Sequence, residues 1–126
     1  MIAYRILDAA CFVIHTTLIV FIAGGWAWKR TRRVHLAIVA ATSFSWFGLG
    51  LYFGIGFCPC TDWHWRIREC LGYTDLPESY IKFLLDTVTG LDLNAVLVDG
   101  ATFVVFAVSA VLSVVLNRND KRERLR

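Results

Sequence analysis

Three long apolar runs, 6–28, 34–57 and 93–116, restrict this chain more than any other feature. A helix crosses a hydrocarbon core of ~30 Å with roughly 20 residues, and each run is long enough to do so. Lipid offers the backbone no hydrogen-bond partners, so only helices or closed barrels span it, and no alternation of period two supports a barrel. The expected fold is an all-α membrane protein with three transmembrane helices in one domain, residues 1–126. Composition agrees: 57% of residues are hydrophobic and the mean hydropathy is +0.57. No soluble segment is left to carry the usual apparatus of an enzyme. The first run has its positive flank after the apolar stretch and exceeds an h-region of about 7–15 residues, so it reads as an uncleaved anchor.

Charge sets the expected orientation. The link 29–33 carries +4 and the tail from Arg118 to Arg126 carries +3, whereas residues 58–92 set three cations against six carboxylates. Lys and Arg concentrate on the cytoplasmic side, which puts the N-terminus outside and the C-terminus in the cytoplasm. That topology accounts for the basic residues through the lipid bilayer, with no nucleic-acid partner needed. The tail, 117–126, is expected to be frayed or helical only in its first turn.

Along the first span Asp8, Cys11 and His15 stand at i, i+3 and i+7 and share one face, which should point into the bundle. The second span carries Gly50 and Gly54 in a small-xxx-small pattern, suited to close packing within the bundle or to a homo-oligomer or membrane-protein partner. Pro59 ends that span. Two short amphipathic helices are expected next in the outer interface, about 62–71 and 76–89. The first would bury a stripe of Trp63, Ile67 and Leu71, and the second would open at Asp75 with a capping-box-like start. Asp92 is the expected N-cap of the third span. A rise of ~1.5 Å per residue puts His15 about 13 Å and Asp99 about 9 Å below the start of their helices. A His15–Asp99 hydrogen bond is therefore expected, and the pair is a candidate cofactor or quinone site.

The second candidate is Cys58-Pro59-Cys60 with His64 one turn on. Three of the four cysteines lie between residues 58 and 70, where free thiols and a Cys58–Cys70 bridge are both open. Two thiolates and an imidazole could bind a soft metal such as Cu(I) or zinc, or act as redox thiols. Cys-Pro-Cys resembles the intramembrane motif of copper-transporting P-type pumps, although nothing else here resembles their ATPase machinery. His64, between Trp63 and Trp65, reads by itself as an interfacial residue.

The early His15, the His35-Leu36 pair that opens the second span, and Cys58-Pro59-Cys60-Thr61 followed by Glu69 together resemble a bacterial membrane family, domain of unknown function 2784. Cys60 departs from that family's commoner Leu. The resemblance implies three transmembrane helices, interfacial helices and an inner-membrane location, and it implies no activity. With no nucleophile–base pair, phosphate loop or complete metal set in view, the reading is a small, non-enzymatic accessory or assembly component. A metal or thiol-redox protein and a cofactor- or quinone-binding bundle are its alternatives.

Overall fold

The computed structural model describes residues 1–126, which form five helices and no strand. They are α1 (Ile2–Gly24, extended by a 3-10 turn at Gly25–Ala27), α2 (Arg32–Phe53), α3 (Pro59–Cys70), α4 (Tyr80–Thr89) and α5 (Ala95–Leu125). Three of them, Ile2–Ala27, Arg32–Phe53 and Ala95–Leu125, are long and apolar enough to cross a membrane. Contacts divide the chain into two compact units, one of residues 1–17 with 58–103 and the other of 18–57 with 104–126.

In the second unit, α2 is regular from Arg32 to Ser43 and then widens into a π-helical stretch, Phe44–Leu49. Helix widening of this kind releases a carbonyl from the regular ladder. Here the Trp46 carbonyl accepts the N–H of Gly56 at 3.1 Å, and Ser45 Oγ donates to the Phe57 carbonyl at 2.7 Å. The chain thus leaves α2 and folds straight back along it. Gly54 (φ 108°) and Gly56 (φ 89°) make that reversal in a region that disfavours a Cβ. Gly50, expected as half of a helix-contact motif, is already covered by Ile55 of this fold-back, while Gly54 is exposed.

The same unit holds the basic tail. α5 continues to Leu125, so the expected fraying does not occur. The reason is charge pairing that a net count conceals. Arg32 donates to both carboxylate oxygens of Asp120 (2.9 and 3.0 Å), and Lys29 reaches Glu123 at 3.2 Å. Asn117 Nδ2 adds a bond to the Arg32 carbonyl. The two acidic residues of the tail answer the basic link.

In the first unit the short helices differ from expectation in a consistent way. α3 starts at Pro59 instead of residue 62, because proline's fixed φ suits the first helical position. Its buried face is His64 and Ile67, with Arg68 beside them, while Trp63 is 58% exposed. Of the expected stripe Ile67 is buried and Leu71 partly covered, while Trp63 turns outward, which costs little where the surroundings are themselves apolar. α4 begins at Tyr80 with Ser79 as N-cap, its hydroxyl accepting the Lys82 N–H, instead of near Asp75. α5 is capped by Asn94, whose Oδ1 accepts from Val96 and Leu97, instead of by Asp92. Asp92 is drawn away by Lys82, which also pairs with Asp86 one turn along α4. The bond from Lys82, and then that from the Leu93 N–H, hold the Asp86 carboxyl below the ordinary carboxylate range, while Asp86 and then Asp92 raise the Lys82 ammonium. This clasp ties the end of α4 to the chain entering α5.

The two ionic contacts of the tail should separate in a thermal melt of detergent-solubilised protein. Asp120→Ala exposes the largely enclosed Arg32 and should cost about 1–3 kcal/mol. Glu123→Ala removes a pair 70% and 66% exposed and should leave the midpoint close to wild type. Equal losses would mean that the tail is not held as described.

Candidate functional site

The first unit gathers its polar side chains around one carboxylate. On α1, Asp8, Cys11, Phe12, His15 and Thr16 fall on a single face, as their spacing requires. α3 presents His64 and Arg68 to that face, four residues apart and therefore stacked one turn above the other. His64 Nε2 lies 2.7 Å from Asp8 Oδ1, and Arg68 Nη1 reaches the two Asp8 oxygens at 3.1 and 3.3 Å. A carboxylate can only accept, so His64 Nε2 carries the proton of this contact. The guanidinium of Arg68 also lies over the rings of Tyr73 (4.1 Å) and Phe83 (4.7 Å), which stabilise a cation held away from water.

α4 completes the cluster with Tyr80. Its ring stacks on His15 at 3.9 Å between centroids and on Trp65 at 5.6 Å, with His64 at 5.7 Å. Burial pushes the Tyr80 phenol up, an effect partly opposed by the hydroxyl of Thr16. Trp65 is itself fixed by its indole N–H, which donates to the Pro77 carbonyl at 2.9 Å. Phe83 packs edge-on against His64 and Trp65, and it also lines a shallow surface groove with Asp8, Phe12, Val13 and Arg68. One aromatic ring therefore separates that groove from the buried imidazole.

Three histidines are buried, and their partners distinguish them. His35, in the second unit, is satisfied at both ring nitrogens: Nε2 donates to the Ile22 carbonyl at 2.8 Å and Nδ1 meets Ser113 Oγ at 2.9 Å. This is a fully satisfied, structural imidazole. His15 and His64 are 8% and 0% exposed, and each leaves Nδ1 with no partner. Tyr80 Oη, Thr16 Oγ1 and Arg68 Nε are likewise buried without a well-formed hydrogen bond, and all five atoms belong to the first unit. A buried polar group without a partner costs about 1–3 kcal/mol, and one satisfied as His35 is does not.

Several expected site residues are placed differently. The His15–Asp99 hydrogen bond is not formed; Asp99 is exposed. The buried stripe of α5 runs through Val98, Phe106, Ser109 and Ser113, and Asp99 is turned ~100° away from it. Depth along the helix was compatible, and rotation about its axis was not. Cys58, Cys60 and His64 do not form one set, because His64 is taken by Asp8. Cys58 instead approaches His15, with Sγ 4.0 Å from Nε2. No group of three or more His, Cys, Asp or Glu side chains is gathered closely enough for a metal ion. All four cysteines are free thiols, with Cys60 and Cys70 exposed. Tyr80 and Arg68 were not anticipated. Arg68 was nevertheless legible, since Asp8 in an apolar run demands a counter-charge and Arg68 shares a helix face with His64.

The family described as Protein of Unknown function (DUF2784) matches residues 5–118. The chain belongs to this family. No curated protein and no solved structure matches it. His15 and Cys58, 43 positions apart and both among the residues that suggested the family, are neighbours in this DUF2784 member.

Asp8→Asn keeps the shape and removes the charge that Arg68 and His64 share. It should lower stability by about 2–3 kcal/mol, since Asp8 remains 23% exposed and the loss falls short of a fully buried pair. The double variant Asp8→Asn/Arg68→Met should cost less than the sum of the two single variants. Strict additivity in thermal melts would show that the two side chains do not interact.

Proposed function

We propose that this DUF2784 member is a non-enzymatic, multi-pass protein of a bacterial inner membrane that binds a small membrane-soluble molecule at the His15–Tyr80–His64 cluster. The observation that carries this reading is the contrast among the buried histidines. His35 is fully satisfied, whereas His15 and His64 each hold an unpartnered Nδ1 close to the Tyr80 ring. Imidazole, phenol and hydroxyl groups can each accept and donate, so the cluster suits a ligand with carbonyl or phenol oxygens that exchanges protons. A quinone headgroup is the chemical type, and its planar ring suits the stacked faces of His15, Tyr80 and Trp65. Asp8 fixes the His64 ring through Nε2, which leaves Nδ1 buried and free to meet a ligand, and Arg68 pairs with the same carboxylate. Entry from the groove requires only that Phe83 swing aside. The expected partner Asp99 has no part in this site.

The orientation, with N-terminus outside and tail in the cytoplasm, is supported by the +4 link and the +3 tail. It would put α3 and α4, which carry His64 and Tyr80, on the outer face.

A short-chain ubiquinone analogue titrated into protein in detergent should quench the fluorescence of Trp65, read as the difference from Trp65→Phe. Quenching should saturate in wild type, weaken at least tenfold in His64→Phe and Tyr80→Phe, and persist in His35→Asn after correction for its lower stability. Absence of saturable quenching, or quenching indifferent to His64 and Tyr80, would reduce the cluster to a lock between α1 and α3. In intact cells an impermeant maleimide should label the exposed Cys70 without lysis; labelling only after lysis would invert the topology.

A further inference from the structure

The Cys58–His15 contact belongs to neither the Asp8 ion pair nor the unpartnered Nδ1 atoms, and its geometry has chemistry of its own. Both donors are held in place. Pro59 confines Cys58 to an extended backbone (φ −130°, ψ 119°), and proline at the next position excludes the helical alternative. The Asp62 N–H closes the first turn of α3 onto the Cys58 carbonyl at 3.0 Å. His15 is 8% exposed and its ring is fixed by stacking on Tyr80. Sγ and Nε2 therefore face each other across 4.0 Å, at the outer limit of a thiol–imidazole hydrogen bond.

That spacing can be compared with metal coordination. Metal–thiolate and metal–imidazole bonds of roughly 2.3 and 2.0 Å put the donors about 4.3 Å apart when collinear and about 3.5 Å apart at a tetrahedral angle. The observed 4.0 Å lies between them, in the range of two- or three-coordinate sites. Four-coordinate zinc is excluded on donor count, since no group of three or more such side chains converges here. The donors are one thiol and one imidazole, a soft pair. Charge decides further. Replacing the Cys58 thiol proton by a monovalent cation leaves the contact neutral, whereas a divalent ion would add an uncompensated positive charge there. Cys60, two residues on in the first turn of α3, is exposed and stands where a third donor could come from the solvent side.

We propose that Cys58 Sγ and His15 Nε2 form a site for a soft monovalent metal ion of the Cu(I) type, with Cys60 at its solvent side. Binding exchanges one proton for one ion: the Cys58 S–H bond breaks, an S–metal bond forms, His15 Nε2 donates its lone pair, and the proton leaves to solvent with no change of oxidation state. This site replaces the expected Cys58–Cys60–His64 set, because Asp8 has claimed His64. It shares His15 with the ligand reading above but uses Nε2 instead of Nδ1, and it needs neither His64 nor Tyr80.

The test is anaerobic titration of the full chain in detergent with Cu(I), using a coloured Cu(I) chelator as competitor. Wild type and Cys70→Ser should each remove one ion per chain from the chelator and release one proton per ion at neutral pH. Cys58→Ser and His15→Asn should bind at least tenfold more weakly. A measurement on wild type alone guards against variants that fail to fold: Cu(I) should slow alkylation of Cys58 at least tenfold while Cys70 reacts unchanged. Equal protection of Cys70 and Cys58 would show adventitious thiol binding and overturn the site, as would unaltered affinity in well-folded His15→Asn. Because quinone quenching is read without metal, the two readings fail separately.

Discussion

A carboxylate on a helix bound for hydrocarbon has to be neutralised, and much of the first unit follows from how Asp8 meets that demand. It takes a cation and a neutral donor from one face of α3, Arg68 and His64. That choice fixes the rotation of α3 about its own axis, so His64 turns inward and Trp63 outward. With α3 in this rotation, Trp65 reaches Pro77 and stacks with Tyr80, and Tyr80 lies against His15. The same helix brings its N-cap residue Cys58 up to His15. One charge on α1 thus orders the two short helices packed around it.

The interior is polar because the exterior is not. Of the ten most buried side chains named, five are His15, His35, His64, Ser109 and Ser113, while many Val, Leu and Phe residues of the long helices are exposed. In lipid an apolar side chain gains nothing by turning inward, so packing, hydrogen bonds and ion pairs choose the contacts. The second unit is satisfied by this arrangement: His35 meets Ser113 and Ile22, Arg32 meets Asp120, and the turn after α2 returns its backbone groups to Ser45 and Trp46. The first unit is not fully satisfied, and its residual unpartnered atoms collect around Tyr80. Natural chains depart from local consistency where they have something other than stability to do.

Much of the fold was legible because bilayer thickness leaves little freedom to long apolar runs. The spans and the shared face of Asp8, Cys11 and His15 follow from counting, but the second span stops at Phe53 with Gly54 as its cap, and Pro59 opens α3 instead of ending α2. The short helices were less legible. α3 starts early because Pro59 suits the first helical position. α4 and α5 start late because Ser79 and Asn94 win the capping positions from Asp75 and Asp92, the latter lost to Lys82, a residue outside its own element. On α3 the inward place of Ile67 was legible, whereas Trp63 and His64 were exchanged because amphipathicity assumes water on the far side. The tail was misread because its net charge hid the two carboxylates that bind it.

Composition and periodicity by themselves determined that this chain is an all-α protein with three helices able to cross a membrane, and that it carries histidines and thiols where lipid would reject them unpaired. The tertiary structure decided which of those groups meet. His15 joins Tyr80 and Cys58 and not Asp99; His64 joins Asp8 and not the cysteines. Rise per residue gives the depth of a side chain along its helix, and sequence supplies that. The rotation of one helix against another is set by long-range pairs such as Asp8 with Arg68, and no local pattern records it.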